Sequence, residues 1–160
     1  MMIARAQFSI ERKYDVSLQE AWDLWTTRSG IESWWGPEGF DVTVVSLDLR
    51  AGGELVYKMT AVAPQQVEFM KKAGMPLTTQ AKVTYTEVSA MNRLAYKTRA
   101  DFVPGVEPYD VATVVELQKT QDGVKLLITF DAMHDDTWTQ RARAGNESQL
   151  RKLDALLTAR

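Results

Sequence analysis

Cysteine is absent from all 160 residues, which removes disulfides, thiolate nucleophiles and cysteine metal ligands and fits a reducing, cytoplasmic setting. Histidine occurs once, at His134, so a two-histidine acid–base pair is excluded, and the scattered carboxylates have no metal-ligand spacing around it. No apolar run approaches the length of a membrane span, and Met1-Met2-Ile3-Ala4-Arg5 lacks the apolar core of a signal peptide. Charge of one sign is also lacking: a net charge of −2 gives no footprint for nucleic acid or for an anionic membrane. No phosphate-binding glycine loop is present, Gly52-Gly53 reading as a hairpin turn, so neither a cofactor nor a metal is indicated. What is present is an ordinary globular balance, 45% hydrophobic and 25% charged, in a length suited to one domain burying about two-thirds of its unfolded surface. Tryptophan is plentiful, and Trp25, Trp34 and Trp35 fall within eleven residues.

The stretch from Asp135 to Ala159 has no proline and no β-branched run. Trp138, Ala142, Gly145, Gln149, Leu153 and Leu156 recur at steps of three and four, flanked by Leu150 and Leu157. Arg143, Glu147, Arg151 and Asp154 fall opposite, which is the period of an amphipathic helix. At 1.5 Å per residue it would run roughly 37 Å, the width of a small domain. Asp135 and Asp136 put acid at the positive end of its dipole, and one of them can cap it.

Upstream, most of the chain alternates. Gln7 to Tyr14 reads as a first strand. Ser17-Leu18-Gln19-Glu20 is a capping box opening a helix with Ala21, Trp22, Leu24 and Trp25, which Ser29-Gly30 should end. Ile31 to Trp35 reads as a second short helical turn, stopped by Gly36-Pro37 and Gly39. Strands are expected at Phe40–Leu49, with a change of phase at Val44-Val45 that suggests a bulge, and at Glu54–Thr60, Ala81–Val88 and Arg93–Phe102. Two more, Val111–Lys119 and Val124–Asp131, are joined by the hairpin signal Gln121-Asp122-Gly123. Pro64 to Gly74, with proline first, glycine last and lysines near the end, reads as a short inserted helix or an ordered loop with Val67, Met70 and Phe69 on its apolar side. Strands at hairpin spacing with few helices between them predict an α+β protein built on one antiparallel sheet.

The order of strand, two short helices, six strands and long helix is carried by specific residues. They are Glu11-Arg12, Ser17 to Thr26, Trp34-Trp35-Gly36-Pro37-Glu38-Gly39-Phe40, Asp48-Leu49-Arg50-Ala51-Gly52-Gly53, and Gly145-Asn146-Glu147-Ser148 with Leu150 and Leu153. This pattern resembles the SRPBCC (START-related, birch-pollen-allergen-like) superfamily. Within it, the chain is similar to the branch named after the C-terminal domain of the activator of the heat-shock-protein-90 ATPase. The resemblance covers nearly the whole chain except Pro64–Gly74. It implies a helix-grip fold, a curved antiparallel sheet holding the long helix with an apolar cavity between them. Where the branch often has Gly-Trp-Glu, this chain has Gly145-Asn146-Glu147, and the missing indole would enlarge or hydrate the cavity.

By strand parity and helix face, the expected ligand-binding residues are Trp25, Trp35, Phe40, Tyr57, Met59, Tyr85, Tyr96, Phe102, Phe130 and Trp138, with Arg141 placed to meet a ligand carboxylate. Each would serve equally as plain core. His134, beside Asp131, Asp135 and Asp136, is the one candidate general base, and a capping or surface histidine is its simpler reading. Glu54 and Glu116 lie on strands, where parity turns them outward. The leading expectation is a binder of a small hydrophobic or amphipathic molecule. The resemblance implies two alternatives: a co-chaperone-like module on a heat-shock-protein-90 chaperone, or a cyclase- or hydrolase-type enzyme using the same cavity. The chain's length leaves no room for a second domain, which counts against a complete chaperone activator.

Overall fold

The computed structural model describes residues 6–101 and 103–158. Seven strands, β1 (Gln7–Tyr14), β2 (Phe40–Leu47), β3 (Glu54–Ala61), β4 (Thr78–Ser89), β5 (Arg93–Ala100), β6 (Tyr109–Lys119) and β7 (Val124–Asp131), form one antiparallel sheet in the order β1-β7-β6-β5-β4-β3-β2. Each neighbour from β2 to β7 is a sequence neighbour, as short turns dictate, while β1 closes on β7 at the far edge. The chain crosses between the edges through α1 (Leu18–Thr26) and α2 (Arg28–Glu32). With α3 (Pro64–Lys72) inserted after β3 and α4 (Asp136–Thr158) at the end, this is the helix-grip α+β architecture. The bulge expected near Val45 lies between Val44 and Ser46, and a second lies between Tyr85 and Glu87; such extra residues bend and twist the strands that carry them.

Two helix boundaries differ from expectation. Ser29-Gly30 does not end the first helix but lies inside α2, and Ile31 to Trp35 is only partly helical. Thr27 is the reason: its hydroxyl donates to the Asp23 carbonyl (2.8 Å) and accepts from the Gly30 N–H (3.0 Å), ending α1 and capping α2 at once. A Cβ at residue 30 would sit 2.1 Å from the Asp23 carbonyl oxygen, so glycine is there for close approach rather than as a stop. In α3, Met70 is buried while Phe69 is 66% exposed, so Phe69 does not join the apolar side.

The core lies between the sheet's inner face and the C-terminal half of α4. Trp25, Trp34 and Trp35 meet edge to face at 4.7–5.5 Å between ring centroids. Trp34 is completely buried, and its indole N–H donates to the Leu24 carbonyl at 2.8 Å. Leu150 and Leu153 bring α4 onto this cluster. Truncating one such tryptophan to alanine typically costs about 3–5 kcal/mol, so this cluster is a main source of stability.

Polar ties set where α4 sits. Asp135 caps it, accepting from the Trp138 N–H at 2.8 Å. Half-buried Arg12 on β1 donates to Glu147 (2.8 Å) and Asp154 (3.3 Å), and the Tyr14 hydroxyl donates to Asp154 (2.7 Å). Lys152 donates to the carbonyls of Trp35 (3.0 Å) and Phe40 (2.8 Å), and Gln149 accepts from the Gly36 N–H (3.3 Å). Gly145, expected on the inner stripe, is exposed; Asn146 takes the inward position beside Ala142 and Gln149. Among the described residues, no helix is long and apolar enough to cross a membrane.

Candidate functional site

The N-terminal half of α4 leaves a cavity of about 240 Å³ against the sheet. The void follows from side-chain size. On the helix the lining is Ala142, Asn146 and Gln149, none of them large and apolar. Opposite them runs a cross-strand row in register, Tyr85↔Tyr96, Tyr96↔Thr113, Thr113↔Phe130 and Phe130↔Phe8, and all but Tyr85 line the cavity. Val83 and Val111 add aliphatic wall. Trp35 covers one end, its ring 6.2 Å from that of Tyr57 and 6.1 Å from that of Tyr96. At the other end Phe8 stacks on Phe130 at 5.0 Å.

The polar groups inside are few and neutral. The Trp35 indole N–H faces the Tyr57 hydroxyl, and the Thr113 hydroxyl faces that of Tyr96. Burial pushes the pKa of both tyrosines above the ordinary phenol value, and for Tyr96 the neighbouring phenols Tyr57 and Tyr85 push it further up. Tyr85 beside them is pushed up to about 12 by burial. The Asn146 amide N–H donates to the Ala142 carbonyl (3.0 Å), which holds the side chain along the helix. Two charged residues reach the rim, and both are engaged. Asp131 accepts from Gln7 (3.1 Å) and from the Ala112 N–H (3.0 Å), while Arg99 faces Asp110 at 3.6 Å.

Of the residues expected to bind a ligand, the structure brings Trp35, Tyr57, Tyr96 and Phe130 together around the cavity. Trp25 and Tyr85 are buried in the core instead, 3% and 2% exposed. Phe40 and Met59 are half-buried towards the β2 edge, where Met59 packs beneath Gly36 and Phe40 gives its carbonyl to Lys152. Trp138 and Arg141 lie off the cavity because α4 begins beyond the end of β7, and the Arg141 guanidinium rests over the Trp138 ring at 4.8 Å. Phe102 lies outside the described residues. Parity from buried Val115 back to Thr113, and from Ile10 back to Phe8, would have found two lining residues missed in the sequence.

His134 is half-buried outside the cavity, in a separate groove with Gln7, Asp136 and Thr139; Phe8 and Met133 stand between the two spaces. Its orienting carboxylate is Asp135, 3.5 Å from Nε2, and not Asp131. The Tyr109 hydroxyl accepts from the His134 backbone N–H (3.2 Å) and lies 2.6 Å from Nδ1. Each ring nitrogen thus faces a partner, Nδ1 the Tyr109 hydroxyl and Nε2 the Asp135 carboxylate. Glu54 and Glu116 face outward, paired with Lys82 (3.2 Å) and Arg93 (3.5 Å). No cluster of metal-ligating side chains occurs among the described residues.

A family model described as Activator of Hsp90 ATPase homolog 1-like protein matches residues 15–158. No curated protein matches the chain. Among solved structures, a protein from Chromobacterium violaceum superposes with a TM-score of 0.74 at 21% identity, covering 94% of this chain and 96% of that one. The AHSA1 protein from Silicibacter pomeroyi gives 0.73 at 19% identity, covering 96% and 99%. The AHSA1-like protein from Aeromonas hydrophila gives 0.67 at 22% identity, covering 94% of each chain. At these identities the likeness shows the shared fold.

Proposed function

The chain belongs to the activator of Hsp90 ATPase homolog 1-like family, and from that premise we propose that it binds a small hydrophobic or amphipathic molecule between sheet and α4. One observation carries the reading: the cavity of about 240 Å³, walled by Trp35, Phe130, Phe8 and Val83. Apolar walls facing such a space gain about 25 cal/mol for each Å² that a guest covers, which favours occupation by an apolar molecule. Few polar groups on mostly apolar walls are also the usual composition of a ligand site.

Native mass spectrometry after gentle purification, together with a panel of apolar fluorophores, tests the reading. A bound species, or quenching of tryptophan emission that Trp35→Phe removes, is the expected result. No bound species and no quenching would refute it. The family description favours a second reading, docking on the chaperone it names, for which the test is a pull-down that recovers the chaperone and stimulates its ATP hydrolysis. Catalysis by His134 is disfavoured, since a base must have a free lone pair within reach of the substrate.

A further inference from the structure

The helix α4 carries a weak point in its interior. Gly145 stands near the middle of the helix, and a Cβ built there would meet nothing within 4 Å. No close approach therefore requires glycine, although glycine inside a helix is the least favourable residue after proline. Asn146 follows it, a poor helix former whose side chain bonds within the helix, to the Ala142 carbonyl (3.0 Å).

The two halves that meet here are held differently. Beyond the glycine lie Leu150 and Leu153, 2% and 1% exposed. The side chains of Glu147, Gln149, Lys152 and Asp154 also lie there and tie α4 to β1 and to the loop of residues 35–40. Before the glycine, no residue from 136 to 144 is buried. That half covers the cavity through Ala142, and the Arg143 guanidinium rests over the Phe8 ring at 5.3 Å, a weak contact at an exposed site. It joins β7 through residues 132–135, which are neither strand nor helix, and there the Thr139 hydroxyl accepts from the Met133 N–H (2.9 Å).

We propose that residues 136–144 are a hinged lid, lifting off the sheet as one unit that pivots at Gly145 and at the 132–135 junction while the half beyond stays seated. Sparse burial is what lets a segment open at less cost than global unfolding, and glycine is where a helix bends sharply. The lid closes as the helix it already is. Its role as the way into the cavity rests on the binding reading; the motion does not.

The test is Gly145→Ala, whose new methyl enters open space. Amide hydrogen exchange is followed by nuclear magnetic resonance in the unmutated chain and in the variant. In the unmutated chain the amides of residues 140–145 should share one protection factor, at least about tenfold below that of residues 151–156. In the variant that shared protection should rise about fivefold, the size of the preference for alanine over glycine in a helix. Protection that climbs residue by residue from Asp136, with residues 140–142 unmoved by the substitution, is end fraying and overturns the lid. Protection equal to that of residues 151–156 overturns it too. Stopped-flow mixing with N-phenyl-1-naphthylamine, a neutral apolar fluorophore, then reads the lid's role. Association and dissociation should both slow about fivefold in the variant with affinity held within about twofold, because a gate changes both rates alike. Unchanged rates beside a shifted protection pattern overturn the lid as the entrance. If the fluorophore does not bind at all, the binding reading falls, and the exchange pattern still decides the hinge.

Discussion

Raising the pH above 10 should unfold this protein cooperatively, and Tyr14, Tyr57, Tyr85 and Tyr96 should ionise only as it unfolds. Burial raises the pKa of Tyr57, Tyr85 and Tyr96, and burial followed by the hydrogen bond to Asp154 raises that of Tyr14. The sign follows directly. Above the ordinary phenol value the unfolded chain loses protons that the folded chain retains, so stability falls as pH rises. Each such phenol costs 1.36 kcal/mol per pH unit, so Tyr57, Tyr85 and Tyr96 together remove about 4 kcal/mol per unit until Tyr85 itself begins to ionise at about 12. Tyr14 is more open to solvent and adds less. Lys152 acts oppositely: burial lowers its pKa, so its contribution grows with pH, but only up to the ordinary lysine value near 10.5. A domain stable by about 5–10 kcal/mol would thus unfold between about pH 11 and pH 13. An equilibrium titration followed by tyrosinate absorbance and near-ultraviolet circular dichroism reads both events. Gradual ionisation of these phenols near pH 10, with the tertiary signal intact, would refute the burial argument.

Four substitutions extend the reasoning. Arg12→Ala strips the cation from Glu147 and Asp154; half-exposure discounts the loss to about 1–2 kcal/mol, a fall of about 2–8 °C in Tm by thermal denaturation. Asn146→Trp puts an indole into the void, so thermal stability should rise while binding of the apolar fluorophores disappears; undiminished binding would show that the ligand sits elsewhere. His134→Ala should leave affinity for an apolar fluorophore within about threefold, less than 1 kcal/mol, whereas Trp35→Ala should weaken it more, as isothermal titration would record.

Much of the fold was legible because its signals are local. Period 2 in the strands, Ser17 as a cap and Pro64 as a helix start each act within a few residues. The bulge at Val45 could be read from a change of phase. The errors arose where a contact outranked a propensity. Gly30 looked like a stop, yet its role is set by the Asp23 carbonyl pressed against it. The helix stripe was read through Gly145, one residue from the true inner position, because alanine, glycine and asparagine carry little periodic signal. The site was less legible, since strand parity fixes a face but not a depth. Tyr85 and Tyr96 are partners across two strands, and only Tyr96 reaches the cavity. Trp138 and Arg141 follow the same helical row as Ala142, but the sheet stops before it reaches them.

The grip is full at one end and empty at the other, and the same ties explain both. Lys152, Gln149 and Ser148 hold the loop from Trp35 to Phe40 against α4, fixing Trp35 as the partition between the packed tryptophans and the void. Arg12 fixes the helix to β1 from the other side, through Glu147 and Asp154. With α4 held at both flanks it does not sink towards the sheet over Ala142 and Asn146, and the space between them stays open. Such a cavity is preorganised. A guest entering it meets walls already in place and gains contacts without ordering a loop, so its affinity rests on size and on the apolar area it covers.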